Sequence, residues 1–476
     1  MNALTTSTTT MTQARRPVNG HRHNFQSLRA LVVLGTLSLL GFAGNADAAI
    51  ARDAVRKTID GIDVVVLRTS VEDVVTLVGS LPAGDDRSPA DNVALATLAG
   101  AMLDKGTTKQ DKFAIAQKLG DVGATLNFSV GASAMQFSGK CLSKDVPLLV
   151  SLLAEQLRLP AFSADEFAKL KRQLAGSIQR QLEDTDFRAD DAFSRAAYPA
   201  GHPNRQAPPA EFVAAIERST IEDVRKFHAQ HYGPAGMRVV LVGDVDPKTA
   251  QAALARAFGG WSGGSPRVDV AKAPLLATEA VQTVYMPDKT NVSIVIGQPT
   301  QLRYADADAI ALRVGTRILG SGFMGRLMAT VRDKEGLTYG IGAAVSNDLY
   351  VDGDWRIDAS FAPALLEQGI ASSRRELLAW HDKGITAAEL ERAKTEVAGT
   401  YKVRLATTGG TAGTILQMLN AGMPLSFVDE YPQRVAALTL EQVNGAIKRH
   451  LDPSKMVLVQ AGTVPGAQAG TAPPQP

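Results

Sequence analysis

FSADEFAKLKRQLAGSIQRQL, residues 162–182, and ITAAELERAKTEVAGTYKVRL, residues 385–405, read as two versions of one helix. Each opens on a hydroxyl N-cap, Ser163 or Thr386, with a glutamate three residues on, Glu166 or Glu389. That is a capping-box arrangement, in which cap and glutamate satisfy each other's backbone N–H groups. Ala-Gly falls at the same place in both, at Ala175-Gly176 and Ala398-Gly399. A second pair lies downstream: STIEDVRKFHAQHYGPAGMRVVLVGDV from Ser219 and LTLEQVNGAIKRHLDPSKMVLVQAGTV from Leu438. Each reads cap, helix, Pro-bearing turn, then Met and an apolar strand. The two offsets, 223 and 219 residues, are nearly equal. A chain that repeats itself at one period is a duplicated domain.

The repeat unit is therefore about 220 residues, and two copies fill most of the 476. The join falls in the Gly/Pro-rich GGWSGGSPRVDVAKAP near Gly259 to Ala277, which lacks apolar periodicity. The expected domains are 50–265 and 278–464, with a linker at 266–277. Each half starts with strands: IDVVVLRT and VVTLVGSLP in the first, VQTVYMP and NVSIVIGQP in the second, bounded by Pro and Asp-Asp turns. A helix with Ala/Leu periodicity follows, Asp91 to Leu103 and Ala305 to Leu319. Hairpin-like strands come next, then further helices and a last strand. Strands mixed with helices in this way indicate an α+β fold. Two duplicated domains are expected, each a mostly antiparallel sheet covered by helices.

Fifty basic and 48 acidic side chains leave a net charge of +2, which gives nucleic acid no electrostatic footprint to grip. The single cysteine, Cys141, excludes an intrachain disulfide and reads as a small buried residue in a strand. The N-terminus has arginines at 15, 16 and 29, an apolar run from Ala30 to Gly44, and then Ala46-Asp47-Ala48. This is the pattern of an export signal over residues 1–49, cut after Ala48 or Ala49. The run is short for a span, which takes about 20 residues. The expected product is periplasmic in a Gram-negative cell, without stable membrane insertion after cleavage. An uncleaved anchor is the alternative. The tail, 465–476, is small-residue and Pro-rich and reads as disordered.

ALATLAGAMLDKGT, residues 94–107, carries a sharper signal, as does GSGFMGRLMATVRDKEGLTYGIGA from Gly320. The layout and these two stretches resemble the pitrilysin/insulinase family, or inverzincins, over residues 50–464. In active members H-x-x-E-H precedes a Met-Leu-x-Lys-Gly-Thr stretch, matched here by Met102, Leu103, Lys105, Gly106 and Thr107. Aligned on it, the two histidine positions hold Thr97 and Ala101, and the glutamate position holds Gly100. Zinc hydrolysis needs two imidazoles one helical turn apart and a carboxylate that takes a proton from metal-bound water. The family's third ligand, a downstream glutamate, falls in LAGSIQRQ, where Gly176, Ser177 and Ile178 stand. The resemblance thus implies a chain that binds no zinc itself. His228 and His231, three apart on one helix, match a helix end that is structural in the family.

In the second half Arg332 and Tyr339 keep the seven-residue spacing of an Arg/Tyr pair that, in the family, faces the bound peptide. A guanidinium and a phenol can donate to substrate carbonyls and to the developing oxyanion. The structural alternative pairs Arg332 with Glu335 or another local carboxylate and starts a strand with Tyr339. Asn127, in Gly-Ala-Thr-Leu-Asn, resembles the family's substrate-binding edge strand, although a turn position is equally open to it. The resemblance implies a non-metal-binding subunit of a heteromeric zinc peptidase that degrades peptides. Its partner would be a zinc-bearing homologous subunit, to which this chain lends Arg332, Tyr339 and a chamber wall. A purely non-catalytic peptide-binding or assembly subunit is the alternative.

Overall fold

A computed structural model describes residues 50–322 and 324–467. The expected export signal lies outside the described residues, as does most of the expected tail. The first sheet is built from β1 (Val55–Ile59), β2 (Ile62–Arg68), β3 (Val74–Leu81), β4 (Thr125–Val130), β5 (Met135–Leu142) and β6 (Arg238–Gly243), in the order β1-β2-β6-β3-β5-β4. The second holds β7 (Ala280–Tyr285), β8 (Val292–Pro299), β9 (Thr338–Ser346), β10 (Asp354–Phe361) and β11 (Val457–Gly462), in the order β7-β11-β8-β10-β9. Apart from β1 the two orders are the same. In each, one parallel pair, β2–β6 or β7–β11, joins an otherwise antiparallel ladder. This is the duplicated α+β architecture. Its free edges next to the hairpins are β4 and β9.

The helices of the first half are α1 (Ile50–Asp53), α2 (Leu95–Ala101), α3 (Lys112–Asp121), α4 (Val146–Arg158), α5 (Ala164–Gln181), α6 (Thr185–Ala197), α7 (Pro209–Arg218), α8 (Ile221–His231) and α9 (Pro247–Phe258). Those of the second are α10 (Ala309–Gly320), α11 (Leu366–Lys383), α12 (Ala387–Leu405), α13 (Thr408–Asn420), α14 (Ser426–Ala436) and α15 (Leu440–His450). Three of the expected caps close as full capping boxes: Thr220 with Asp223, Thr386 with Glu389, and Thr439 with Gln442. The fourth does not. Ser163 makes no side-chain cap bond, and Glu166 is held instead by Lys112 at 2.7 Å and Lys169 at 2.9 Å. Two charge-assisted bonds outweigh one to a backbone N–H.

The strands are apolar on both faces because both faces are covered. On β2, Val64 and Val66 point into a core with α2, α4, α8 and α9, while Val65 and Leu67 meet Ile415, Leu416 and Leu419 of α13. The second sheet repeats this with the halves exchanged: Val295, Val457 and Val459 meet Ala189, Ala192 and Phe193 of α6. Each half thus lends one helix to the outer face of the other's sheet. A hydroxyl pair pins each loan, Thr408 to Thr76 at 2.9 Å and Thr185 to Ser293 at 2.7 Å. Asn420 adds a bond from Ser80 at 3.0 Å and one from Arg238 at 3.1 Å. Cys141 is buried in the first core, and burial pushes its thiol up to about 12.

Candidate functional site

Helix α2 presents Thr97, Gly100 and Ala101 on its last turns, between β4 and α8. No imidazole or carboxylate of this helix stands there. Thr97 donates instead to Asp85 Oδ1 at 2.9 Å. Burial pushes the Asp85 carboxyl up to about 6, against the pull of the Thr97 bond, with nearby Asp86 adding to the rise. Gly100 is buried, and a Cβ at that position would fall 2.2 Å from Val130 Cγ2 on β4 and 3.7 Å from the Tyr232 hydroxyl. The volume where a side chain of this helix position would begin is therefore filled by Val130. The Tyr232 hydroxyl is buried without a hydrogen-bond partner among the described residues, and burial raises its pKa.

On α5, Ile178 packs against the first core and Ser177 lines a shallow surface depression with Arg180, Gln181 and Asp184. No carboxylate stands at 176–178. Protein-bound zinc takes imidazole nitrogen, thiolate sulfur or carboxylate oxygen in a tetrahedral set. The Thr, Gly, Ala and Ile found here do not fit that ion. Among the described residues no three of His, Cys, Asp and Glu gather closely enough to share a metal.

The two clustered histidines are structural. His228 Nε2 lies 2.8 Å from the Leu157 carbonyl, and its ring stacks on Tyr232 with centroids 4.5 Å apart. Burial lowers its pKa. His231 Nδ1 meets Ser265 Oγ at 3.0 Å. Both rings anchor the end of α8 to what surrounds it.

Arg332 lies in a π-helical stretch, Met328–Lys334, a geometry that recurs at functional positions. Tyr339 is the second residue of the edge strand β9 and is 90% exposed. The structure brings the two together, with the guanidinium carbon 5.2 Å from the phenol ring centroid. Glu335 is not the partner of Arg332, because Ser372 and Arg375 hold its two oxygens, each at 2.5 Å. Arg332 Nε stands 3.8 Å from Asp333 Oδ1. Asn127 lies on β4, the free edge of the first sheet, on its exposed face and opposite Ser138 of β5; it is a strand residue rather than a turn. Asn127 and the vacated positions belong to the first sheet and its helices, and Arg332 and Tyr339 to the second.

Two residues of this neighbourhood escaped the sequence reading. Asp85 looked like part of a turn, and Tyr232 like the end of a helix. Only the fold places Asp85 beside Thr97 and Tyr232 beside Gly100.

The insulinase family of M16 peptidases matches residues 64–206, and a second description, peptidase M16 inactive domain, matches 218–397. Among curated relatives, the non-peptidase homolog YmxG of Helicobacter pylori is 23% identical, over 78% of this chain and 84% of the relative. An uncharacterized zinc protease of Mycobacterium bovis is 27% identical, over 75% and 82%. Among solved structures, a peptidase M16 inactive domain from Pseudomonas fluorescens superposes with a TM-score of 0.80 at 25% identity. It covers 87% of this chain and 99% of that one. The periplasmic protease PqqL of Escherichia coli matches with a TM-score of 0.72 at 16% identity, covering 92% of this chain but 49% of its own. With one M16 description on each half and the same duplicated fold in the solved neighbours, the chain belongs to the insulinase (M16) family.

Proposed function

We propose that this chain is the non-zinc subunit of a heteromeric M16 metallopeptidase that degrades peptides. The observation that carries the reading is selective. Where an active member has its ligands and base, α2 has Thr97, Gly100 and Ala101, closed over by Val130. Arg332 and Tyr339, in contrast, stand together, with the phenol almost fully exposed. A large exposed aromatic beside a guanidinium suits contact with something outside the chain. In this reading a zinc-bearing homologous partner supplies the metal and base. This chain supplies two hydrogen-bond donors and one wall of the chamber. The match to about half of a neighbour roughly twice its length supports an assembly in which a second, similar chain supplies the other half. The export pattern of residues 1–49 supports a periplasmic complex. No helix among the described residues is long and apolar enough to cross a membrane.

A second reading, a purely non-catalytic peptide-binding or assembly subunit, is favoured by the relative described as a non-peptidase homolog and the neighbour described as an inactive domain. Peptide cleavage by a co-purified zinc-bearing homologue separates the two. The first reading requires activity to rise when this chain is added, and to fall about a hundredfold or more with Tyr339→Phe or Arg332→Ala. A partner fully active alone, or indifferent to both substitutions, would leave only the second.

A further inference from the structure

The duplication gives the vacated site a counterpart in the second half. Helix α10 stands to the second sheet as α2 stands to the first: each follows its sheet's first strands and packs on the free edge strand, β9 or β4. Where α2 carries Thr97, Gly100 and Ala101, α10 carries Arg313, Thr316 and Arg317 at the same intervals. Where α5 carries Gly176 to Ile178, α12 carries Gly399, Thr400 and Tyr401. These positions do not fill in. All but Gly399 line an open cavity of about 250 Å³, walled also by β9, α13 and α14 and reached by Arg404 at the end of α12.

The charge of that cavity is uneven. The Arg313 guanidinium pairs with Asp348 and lies 4.1 Å over the Tyr304 ring. Arg317 Nη2 holds Glu396 at 2.6 Å, and its Nε is buried without a hydrogen-bond partner among the described residues. Arg404 has no carboxylate partner among the described residues. Three cations against two anions leave one positive charge. Tyr304 and Tyr431 also line the space and bring phenol hydroxyls. Val314, Val345 and Val397 give the same space an apolar side.

We infer that this cavity binds one carboxylate attached to a small apolar group, the free C-terminus of a peptide. A single excess positive charge complements a carboxylate better than a phosphate dianion. Guanidinium forks match the planar carboxylate. The volume lies below that of ordinary small-molecule pockets, about 300–1,000 Å³, and suits a terminal residue rather than a whole metabolite. Neither Arg332 nor Tyr339 lines it.

The test is calorimetric titration of the full chain with N-acetyl-trialanine, with its C-terminal amide, and with inorganic phosphate. The free acid should bind, and the amide should bind at least about tenfold more weakly. Arg404→Gln should weaken the acid about tenfold with an unchanged melting midpoint, because Arg404 is exposed. Arg317→Lys keeps the charge facing Glu396 but loses the planar guanidinium, so it should also weaken binding; if it fails to fold, Arg404→Gln decides alone. Equal binding of acid and amide, tighter binding of phosphate, no binding of the acid up to about 10 mM, or indifference to Arg404→Gln would each overturn the assignment.

Discussion

If Val130 fills the place where a catalytic side chain would start, putting a methyl group on Gly100 must be felt by Val130 and by little else. A Cβ at position 100 would meet Val130 Cγ2 at 2.2 Å, far inside contact distance, while the Tyr232 hydroxyl stays at an ordinary 3.7 Å. Overpacking of this kind costs about 1–3 kcal/mol. Replacing a helical glycine with alanine returns up to about 1 kcal/mol, less here because Gly100 is in the last turn of α2. Gly100→Ala should therefore destabilise by a net of about 1–2 kcal/mol. Val130→Ala removes two methyl groups from a half-buried site and should cost about 1 kcal/mol. The double variant loses the clash, so its cost should fall short of the sum by about 1–3 kcal/mol. Scanning calorimetry of the four proteins measures this. For a fold of this size 1 kcal/mol shifts the midpoint by about 1 °C, so replicate scans are needed. Additivity of the two substitutions would refute the claim that Val130 occupies the site.

Other consequences follow from named contacts. The Asp85 carboxyl is raised to about 6 by burial, so the native state holds its proton more tightly than the unfolded chain does. Between about pH 4 and 6 this group's contribution to stability falls as pH rises. Asp85→Asn keeps an acceptor for Thr97, and should stabilise the protein at neutral pH by about 1–3 kcal/mol and flatten that part of the pH profile in urea titrations. Thr408→Val leaves the buried Thr76 hydroxyl without its partner and should cost about 1–3 kcal/mol, whereas Thr76→Val with Thr408→Val should recover much of it in the same assay. Cys141, buried with its thiol pushed up to about 12, should resist thiol reagents at pH 8 in the native protein and react fully in denaturant.

Much of the fold was legible because duplication writes each element twice. The paired helices at 162–182 and 385–405, and the matching cap–helix–turn–strand runs, place α5 against α12 and β6 against β11 before any coordinates. The vacancy was legible too, since a missing imidazole is a matter of residue identity. What fills the vacancy was not. Val130 lies far from Gly100 in sequence, and only the β4 register brings it there. The exchange of α6 and α13 was hidden for a similar reason. An apolar helix face announces that it will be covered, not by which sheet. The failed capping box at Ser163 shows the limit of a local motif, because Lys112 arrives from a distant helix and takes the glutamate. The Arg313–Arg317–Arg404 cavity needed both the repeat and the fold, since the arginines are unremarkable until α10 is set beside α2.

The most direct test of the proposed role is a peptide-cleavage assay with zinc analysis of each subunit, on this chain co-expressed with a zinc-bearing M16 homologue from the same cell. The account predicts zinc in the homologue alone, cleavage by the pair, and loss of about a hundredfold in kcat/KM when this chain carries Tyr339→Phe. Zinc bound stoichiometrically by this chain, or an unchanged rate with Tyr339→Phe, would contradict it.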